Sequence, residues 1–424
     1  MLRKAAPTGS MRPPTGIPSG FPNQPQRAMN DFPLNDPATP EAAGFDPVRL
    51  AGIGTMLGDL VARGRLPGAV TLIMRRGRLA AFEALGVQDP ESGAAMRRDS
   101  IFRIYSMTKP IVSVAAMKLF EEGRLLLSDP VARYLPEFAA TQLQIDDGAA
   151  PRLVAPARPM TVHDLLRHTS GLTYEFLAPA PVRRRYAEAG VHSQKRTNAE
   201  HARLLASLPL MHEPGSVWDY SRATDILGRV VEVVAGESLG SHLERAIFAP
   251  LGMADTAFHV PAEHHGRIAE PFAKDPDGGL AIRLLDMRRP AVLESGGGGL
   301  ASTASDYAKF LQMLLHGGSL GGVRILGPKI VEYMTADHLG SIPAIGDLLP
   351  PGHGFGLGFA VRLATGISAV PGSIGTYGWG GIAGTLFFVD PREQLFAMLL
   401  IQAPAQREEI QQRFRNMVYS SLVD

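Results

Sequence analysis

In Ser106-Met107-Thr108-Lys109-Pro110-Ile111-Val112-Ser113-Val114-Ala115-Ala116-Met117-Lys118-Leu119-Phe120 a serine and a lysine three residues apart open a long apolar run, which acidic residues and Gly123 close. The run predicts a helix with Ser106 at or near its start. Three residues is close to one turn, so hydroxyl and amine share a face within hydrogen-bond reach, and a helix N-terminus favours developing negative charge. Pro110 suits a first turn, where proline removes few or no helix hydrogen bonds. This is an arrangement for an activated nucleophile. Ser and Lys at this spacing also arise by chance, so the pair needs support from elsewhere in the chain.

Two further segments supply it. Glu213-Pro214-Gly215-Ser216-Val217-Trp218-Asp219-Tyr220-Ser221-Arg222 precedes Ile226, Leu227, Val230, Val231 and Val234, whose spacing predicts an amphipathic helix closed by Gly236. Tyr220 is placed in the turn before it. Its phenol can exchange a proton with the nucleophile if the Lys109 ammonium lowers its pKa, the alternative being a half-buried tyrosine packed beside Trp218. In Tyr377-Gly378-Trp379-Gly380-Gly381-Ile382-Ala383-Gly384-Thr385, glycines on entry to a strand let backbone approach a ligand, and amides there can form half of an oxyanion hole. A plain glycine-rich hairpin is the alternative. Trp218 and Trp379 flank both segments and are candidate pocket walls.

Strand patterns lie at both ends of the chain. Ala69 to Leu85 reads as two antiparallel strands turning near Arg76-Gly77, and Thr385 to Ile401 as a second hairpin turning at Asp390-Pro391, so the two pairs are expected to share one sheet. The middle carries helix signals. Thr161 with Asp164 and Thr303 with Asp306 have capping-box spacing, and Asp129-Pro130 is a further helix start. The expected architecture is α/β of the α+β type: an antiparallel sheet flanked by helices, residues 41–122 and 286–424, around a mainly helical insertion, 123–285. Residues 1–40, with nine prolines, read as a flexible tail.

Composition agrees with an enzyme. The 424 residues are 45% hydrophobic and 20% charged with a net charge of +1, which implies a globular chain with no nucleic-acid or anionic-membrane partner. With no cysteine, thiolate chemistry and disulfides are excluded. Residues 1–30 lack the apolar core of a signal peptide and no long apolar run follows, so a cytoplasmic location is expected. No metal and no cofactor is expected, because the histidines contain no His-Glu-x-x-His and His264-His265 reads as a surface loop.

Taken in order along the chain, these segments resemble the serine β-lactamase and penicillin-binding-protein superfamily, and within it the family VIII carboxylesterases. The resemblance spans roughly 46–420. It includes Glu122 to Val131, Tyr134 to Phe138, Thr161 to Leu172, Pro250-Leu251-Gly252-Met253 and Gly298 to Thr303. It implies a serine β-lactamase-like fold with Ser106 as the acylated serine, Lys109 as its partner and Tyr220 as the first residue of the Tyr-x-Asn element. Trp379-Gly380-Gly381 falls where β-lactamases carry Lys-Thr-Gly. The oxyanion hole is then formed by the amides of Ser106 and Ile382.

Two departures narrow the expected substrate. Arg222 stands where a β-lactamase has Asn, and Trp379 where it has the Lys that helps hold a β-lactam carboxylate. An aromatic wall suits a neutral ester, although Arg222 can restore some anion binding. The expected function is a serine carboxylesterase for small, short-acyl esters, with Trp218, Arg222, Trp379, Gly380 and Gly381 lining the substrate site. A β-lactamase, an acyltransferase and a noncatalytic penicillin-recognising module are the alternatives. Gly317-Gly318-Ser319-Leu320-Gly321 matches a nucleophile elbow in letters, yet a helix rather than a strand is expected before it. The glycines 296–299 read as a close-packed loop, and His168 as part of a helix end.

Overall fold

The computed structural model describes residues 38–146, 151–177 and 180–424. Apart from 38–40, the expected tail lies outside the described residues.

Strands β1 (Gly68–Arg75) and β2 (Arg78–Asp89) are joined by Arg76 and Gly77, both at positive φ, as a two-residue hairpin turn requires. With β3 (Ala94–Ala95), β4 (His353–Phe355), β5 (Ala360–Arg362), β6 (Tyr377–Gly380), β7 (Leu386–Asp390) and β8 (Leu395–Ile401) they form one sheet in the order β4-β5-β6-β7-β8-β1-β2-β3. Every pairing is antiparallel. Strand β8 lies beside β1, with Leu72 opposite Met398, so the two terminal hairpins share a sheet as expected.

Strands β1 and β8 are buried at every position because both faces of the sheet are covered. Val70, Leu72, Met74, Phe396, Met398 and Leu400 point into one buried cluster. Their neighbours Ala69, Ile73, Leu395, Ala397, Leu399 and Ile401 point into the other, against Leu50, Ile53 and Leu57 of α1 (Pro47–Ala62) and Ile410, Phe414 and Val418 of the C-terminal helix. On the first face lies α2 (Thr108–Glu121), buried without a break from Thr108 to Met117. A helix apolar all round belongs inside a core, and this one carries the Ser-Lys pair at its entrance.

Capping signals are realised unevenly. Thr161 and Asp164 close a full capping box on α3 (Val162–Leu166). Asp164 also accepts from Arg158, Arg167 and Thr169. Burial opposes its charge, but hydrogen bonds from Arg158, Thr161 and Thr169 outweigh it and bring the carboxyl down to about 2. The stability this adds is therefore present above about pH 4, the unfolded value, and lost as pH falls towards 2. Asp164→Ala is expected to cost about 3 kcal/mol in urea denaturation at pH 7, with less difference from wild type at pH 3.

Helix α4 (Ala223–Ala235) ends at Gly236, φ 79°, as its pattern predicts. At α5 (Ala304–Leu315) the expected box stays open: Thr303 caps the Asp306 amide, while the Asp306 carboxylate turns to the Asp255 amide and Thr256. Asp129-Pro130 opens only a single 3-10 turn, Val131–Arg133. Between 123 and 285 the described elements are helices and one ribbon, Leu143–Ile145 with Arg152–Val154. The cluster around α2 continues unbroken through Val162, Leu205, Val231 and Phe248 of this region. No helix among the described residues is long and apolar enough to cross a membrane.

Candidate active site

Ser106 sits half-buried in a 3-10 turn, Tyr105–Met107, that runs straight into α2. The residue before it is held in the left-handed region: Tyr105 has φ 44°, and its hydroxyl accepts the Leu285 amide at 2.8 Å. Left-handed backbone at a residue with a bulky side chain stores strain, here directly beside the candidate nucleophile.

Lys109 is fully buried, and its Nζ meets Ser106 Oγ at 3.2 Å, Tyr174 Oη at 3.0 Å and the Gly297 carbonyl at 2.5 Å. Burial drives its pKa down to about 7; Asp225 pulls it upward and Arg222 pushes it further down. A neutral amine has two N–H donors and one lone pair. It can donate to Gly297 and Tyr174 and accept from the Ser106 hydroxyl, which is the bond a general base needs.

Tyr220 is buried and hydrogen-bonded with Ser106. Trp379 Nε1 donates to Tyr220 Oη at 3.0 Å, which leaves the phenolic proton to be donated onward. Lys109 Nζ lies 4.5 Å from the Tyr220 ring centroid. The expectation that a lysine ammonium lowers the phenol's pKa is not met. Burial dominates and holds Tyr220 well above the usual tyrosine range, in spite of its hydrogen bonds with Ser106 and Trp379.

Strand β6 delivers its end to the same place. A Cβ on Gly381 would stand 2.3 Å from Thr385 Oγ1 and 2.6 Å from the Ile104 carbonyl, so only glycine lets this backbone lie against the segment that carries Ser106. The Gly381 amide is taken by the Thr385 carbonyl at 2.7 Å, which makes Ile382 the next amide along; its side chain is exposed. Gly381→Val is expected to lower kcat by about 100-fold or more by pushing the end of β6 away from the Ile104 segment that leads to Ser106, measured as ester turnover in the folded variant.

A family model described as Beta-lactamase matches residues 54–418. The chain belongs to the beta-lactamase family. Protein Rv1367c of Mycobacterium tuberculosis is 36% identical over 366 residues, which cover 84% of this chain and 90% of that protein. Esterase EstB of Burkholderia gladioli is 34% identical over 383 residues, covering 85% and 92%. The solved structure of EstCE1, a hydrolase with promiscuous acyltransferase activity, matches with a TM-score of 0.73 at 29% identity, covering 89% of this chain and 99% of that one. This beta-lactamase-family chain is a serine hydrolase of the family VIII type.

Among the residues expected at the site of this beta-lactamase-family enzyme, Ser106, Lys109, Tyr220 and Trp379 come together, with Gly380 and Gly381 beside them. Trp218 is not open to substrate. It is fully buried behind Tyr220, ring centroids 6.2 Å apart, so it supports the phenol from the rear. Arg222 is not open to substrate either: its guanidinium fork closes on Glu175 at 2.5 and 3.1 Å and also faces Asp225 at 3.5 Å. Ser319 opens a short hairpin strand after α5, away from any strand-to-helix turn.

Four contributors escaped the sequence reading. Tyr174 and Gly297 hold Lys109 from 65 and 188 residues away. Asp225 holds Gly297 in turn. His168, at φ 57° after α3, accepts the Ser221 amide through Nδ1 at 3.3 Å and lies 4.8 Å, ring to ring, from Tyr220. Only the glycine run at 296–299 carried a local signal, that of a close-packed loop.

Proposed function

We propose that this hydrolase is a carboxylesterase that cleaves small neutral esters, short-acyl esters among them, through an acyl-enzyme on Ser106. The observation that carries the reading is the Trp379 Nε1 bond to Tyr220: the position where β-lactamases resemble one another by a lysine holds a neutral indole, and Arg222, the nearby cation, is already paired with Glu175. Half-buried Trp379 offers an aromatic face to a substrate without a carboxylate. The esterase relative EstB supports the same reading.

In acylation Ser106 Oγ attacks the ester carbonyl and gives its proton to neutral Lys109. Amides of Ser106 and Ile382 hold the oxyanion, each worth about 3 kcal/mol. Tyr220, which accepts from Trp379, gives its own proton to the leaving alkoxide, and the Lys109 ammonium restores it. Water then attacks the acyl-enzyme and the same relay runs in reverse to free the acid and Ser106. Because Lys109 must be uncharged, kcat/KM is expected to rise with pH through about 7.

The test compares wild-type turnover of p-nitrophenyl butyrate, p-nitrophenyl laurate and a chromogenic cephalosporin. Faster butyrate cleavage, with a p-nitrophenol burst equal to the enzyme concentration, is expected. Faster cephalosporin cleavage overturns the ester reading in favour of a β-lactamase, and faster laurate cleavage overturns the short-acyl preference. Acyl transfer is a second reading, supported by the activity printed for EstCE1. A short alcohol acceptor that diverts most of the butyryl group into a new ester decides for it.

A further inference from the structure

Asp225 lies in the first turn of α4, five residues after Tyr220, and is buried. Its Oδ1 accepts the Ser295 hydroxyl at 2.5 Å and the Gly297 amide at 2.9 Å. The Gly297 carbonyl is the acceptor for Lys109 Nζ at 2.5 Å. A Cβ on Gly297 would come within 2.9 to 3.1 Å of the Asp225 carboxyl group, so the glycine is seated hard against it. The same helix therefore supplies the phenol at its entrance and, one turn in, the carboxylate that fixes the loop on which the lysine rests.

We propose that Asp225 is the positioning residue for Lys109: its carboxylate anchors the loop that holds the Gly297 carbonyl at the amine. This rests on the reading of Lys109 as the base for Ser106. Groups facing Lys109 are Ser106, Tyr174, Tyr220, His168, Arg222 and Asp225; those facing Asp225 are Arg222, His201, Ser295 and Gly297. His168 and His201 are both held below the usual histidine range by burial, so they stay neutral around pH 7. Glu175 keeps Arg222 paired from its other side. Burial raises the Asp225 pKa, but the Arg222 charge and the hydrogen bonds from Ser295 and Gly297 outweigh it, so the carboxylate stays charged. Its charge is the force that raises the Lys109 pKa against burial.

Asparagine and alanine separate the anchor from the charge. In Asp225→Asn the Oδ1 acceptor for Ser295 and Gly297 is kept while the charge is lost. The pKa of Lys109 then falls, and the acid limb of kcat/KM moves to lower pH. Alanine removes the acceptor as well. The full-length chain is assayed with p-nitrophenyl butyrate from pH 5 to 9 as wild type, Asp225→Asn, Asp225→Ala and Ser106→Ala. In Asp225→Asn the limb is expected about half a pH unit or more lower, with plateau kcat within about threefold of wild type. In Asp225→Ala the plateau kcat is expected to fall about tenfold or more with KM within about threefold. A limb in Asp225→Asn that coincides with wild type overturns the role of the charge, and an unchanged plateau in folded Asp225→Ala overturns the role of the carboxylate as an anchor. Should the alanine variant not fold, the asparagine plateau decides alone, a fall beyond about threefold with the acceptor kept overturning the anchor. Turnover surviving in Ser106→Ala refutes the acyl-enzyme reading itself, whereas an inactive Ser106→Ala with an unchanged plateau in folded Asp225→Ala refutes only the inference about Asp225.

Discussion

Ser106→Ala is expected to lower kcat/KM for p-nitrophenyl butyrate by about 10⁴-fold or more and to abolish the burst of p-nitrophenol. In the proposed mechanism the Ser106 hydroxyl oxygen forms the acyl bond, and neither Lys109 nor Tyr220 is placed to replace it, one being fully buried and the other buried and bonded to Trp379. Structural cost is small, since alanine fits a 3-10 turn and Ser106 is half-buried with Lys109 able to keep its bonds to Tyr174 and Gly297. The melting temperature should stay within about 4 °C of wild type. Some residual rate is expected from the oxyanion amides and substrate binding. Turnover within tenfold of wild type in a folded Ser106→Ala protein would falsify the assignment.

Lys109→Met is expected to lower kcat by about 10³-fold or more and to remove the rise of activity through pH 7. Without the amine, the neighbour left to Ser106 is Tyr220, a phenol that burial holds protonated and that is therefore a poor base. The substitution has a second signature in stability. The Lys109 pKa is depressed in the fold, so between about pH 7 and 10 the unfolded lysine binds a proton that the folded one has released. Over that window this residue makes stability rise with pH. In Lys109→Met the contribution is gone, and a comparison of urea midpoints at pH 7 and pH 10 should show the smaller rise. The lost bonds leave the Gly297 carbonyl and Tyr174 hydroxyl to other partners at about 1 kcal/mol each, offset by the removed cost of burying an amine. An acid limb that persists near pH 7 would assign the base elsewhere.

Reading the chain succeeded where the chemistry is local. The turn at Arg76-Gly77, the helix stop at Gly236 and the box at Thr161 and Asp164 depend on φ preferences and hydrogen bonds a few residues apart. It failed where a local signal met a remote competitor. Asp306 has the spacing to cap its own helix, yet the Asp255 amide and Thr256 take its carboxylate. Arg222 reads as a cation free for substrate until Glu175, 47 residues earlier, is found in its fork. Two tryptophans flank the candidate segments, and only packing separates Trp379, which bonds the phenol, from Trp218, which is sealed behind it.

What the sequence by itself determined is the order of the chemistry: a serine and a lysine on one face at the entrance of an apolar helix, a tyrosine ahead of a second helix, a glycine-rich strand entry, and two hairpins able to join. Those follow from spacing and backbone preference, which act along the chain. The tertiary structure alone decided how the site is poised. Burial brings the Lys109 pKa down to about 7, Trp379 donates to the Tyr220 oxygen, and Glu175 occupies the Arg222 fork. Desolvation and hydrogen-bond direction depend on which distant segments are packed within a few ångströms, a distance that folding sets and sequence separation does not.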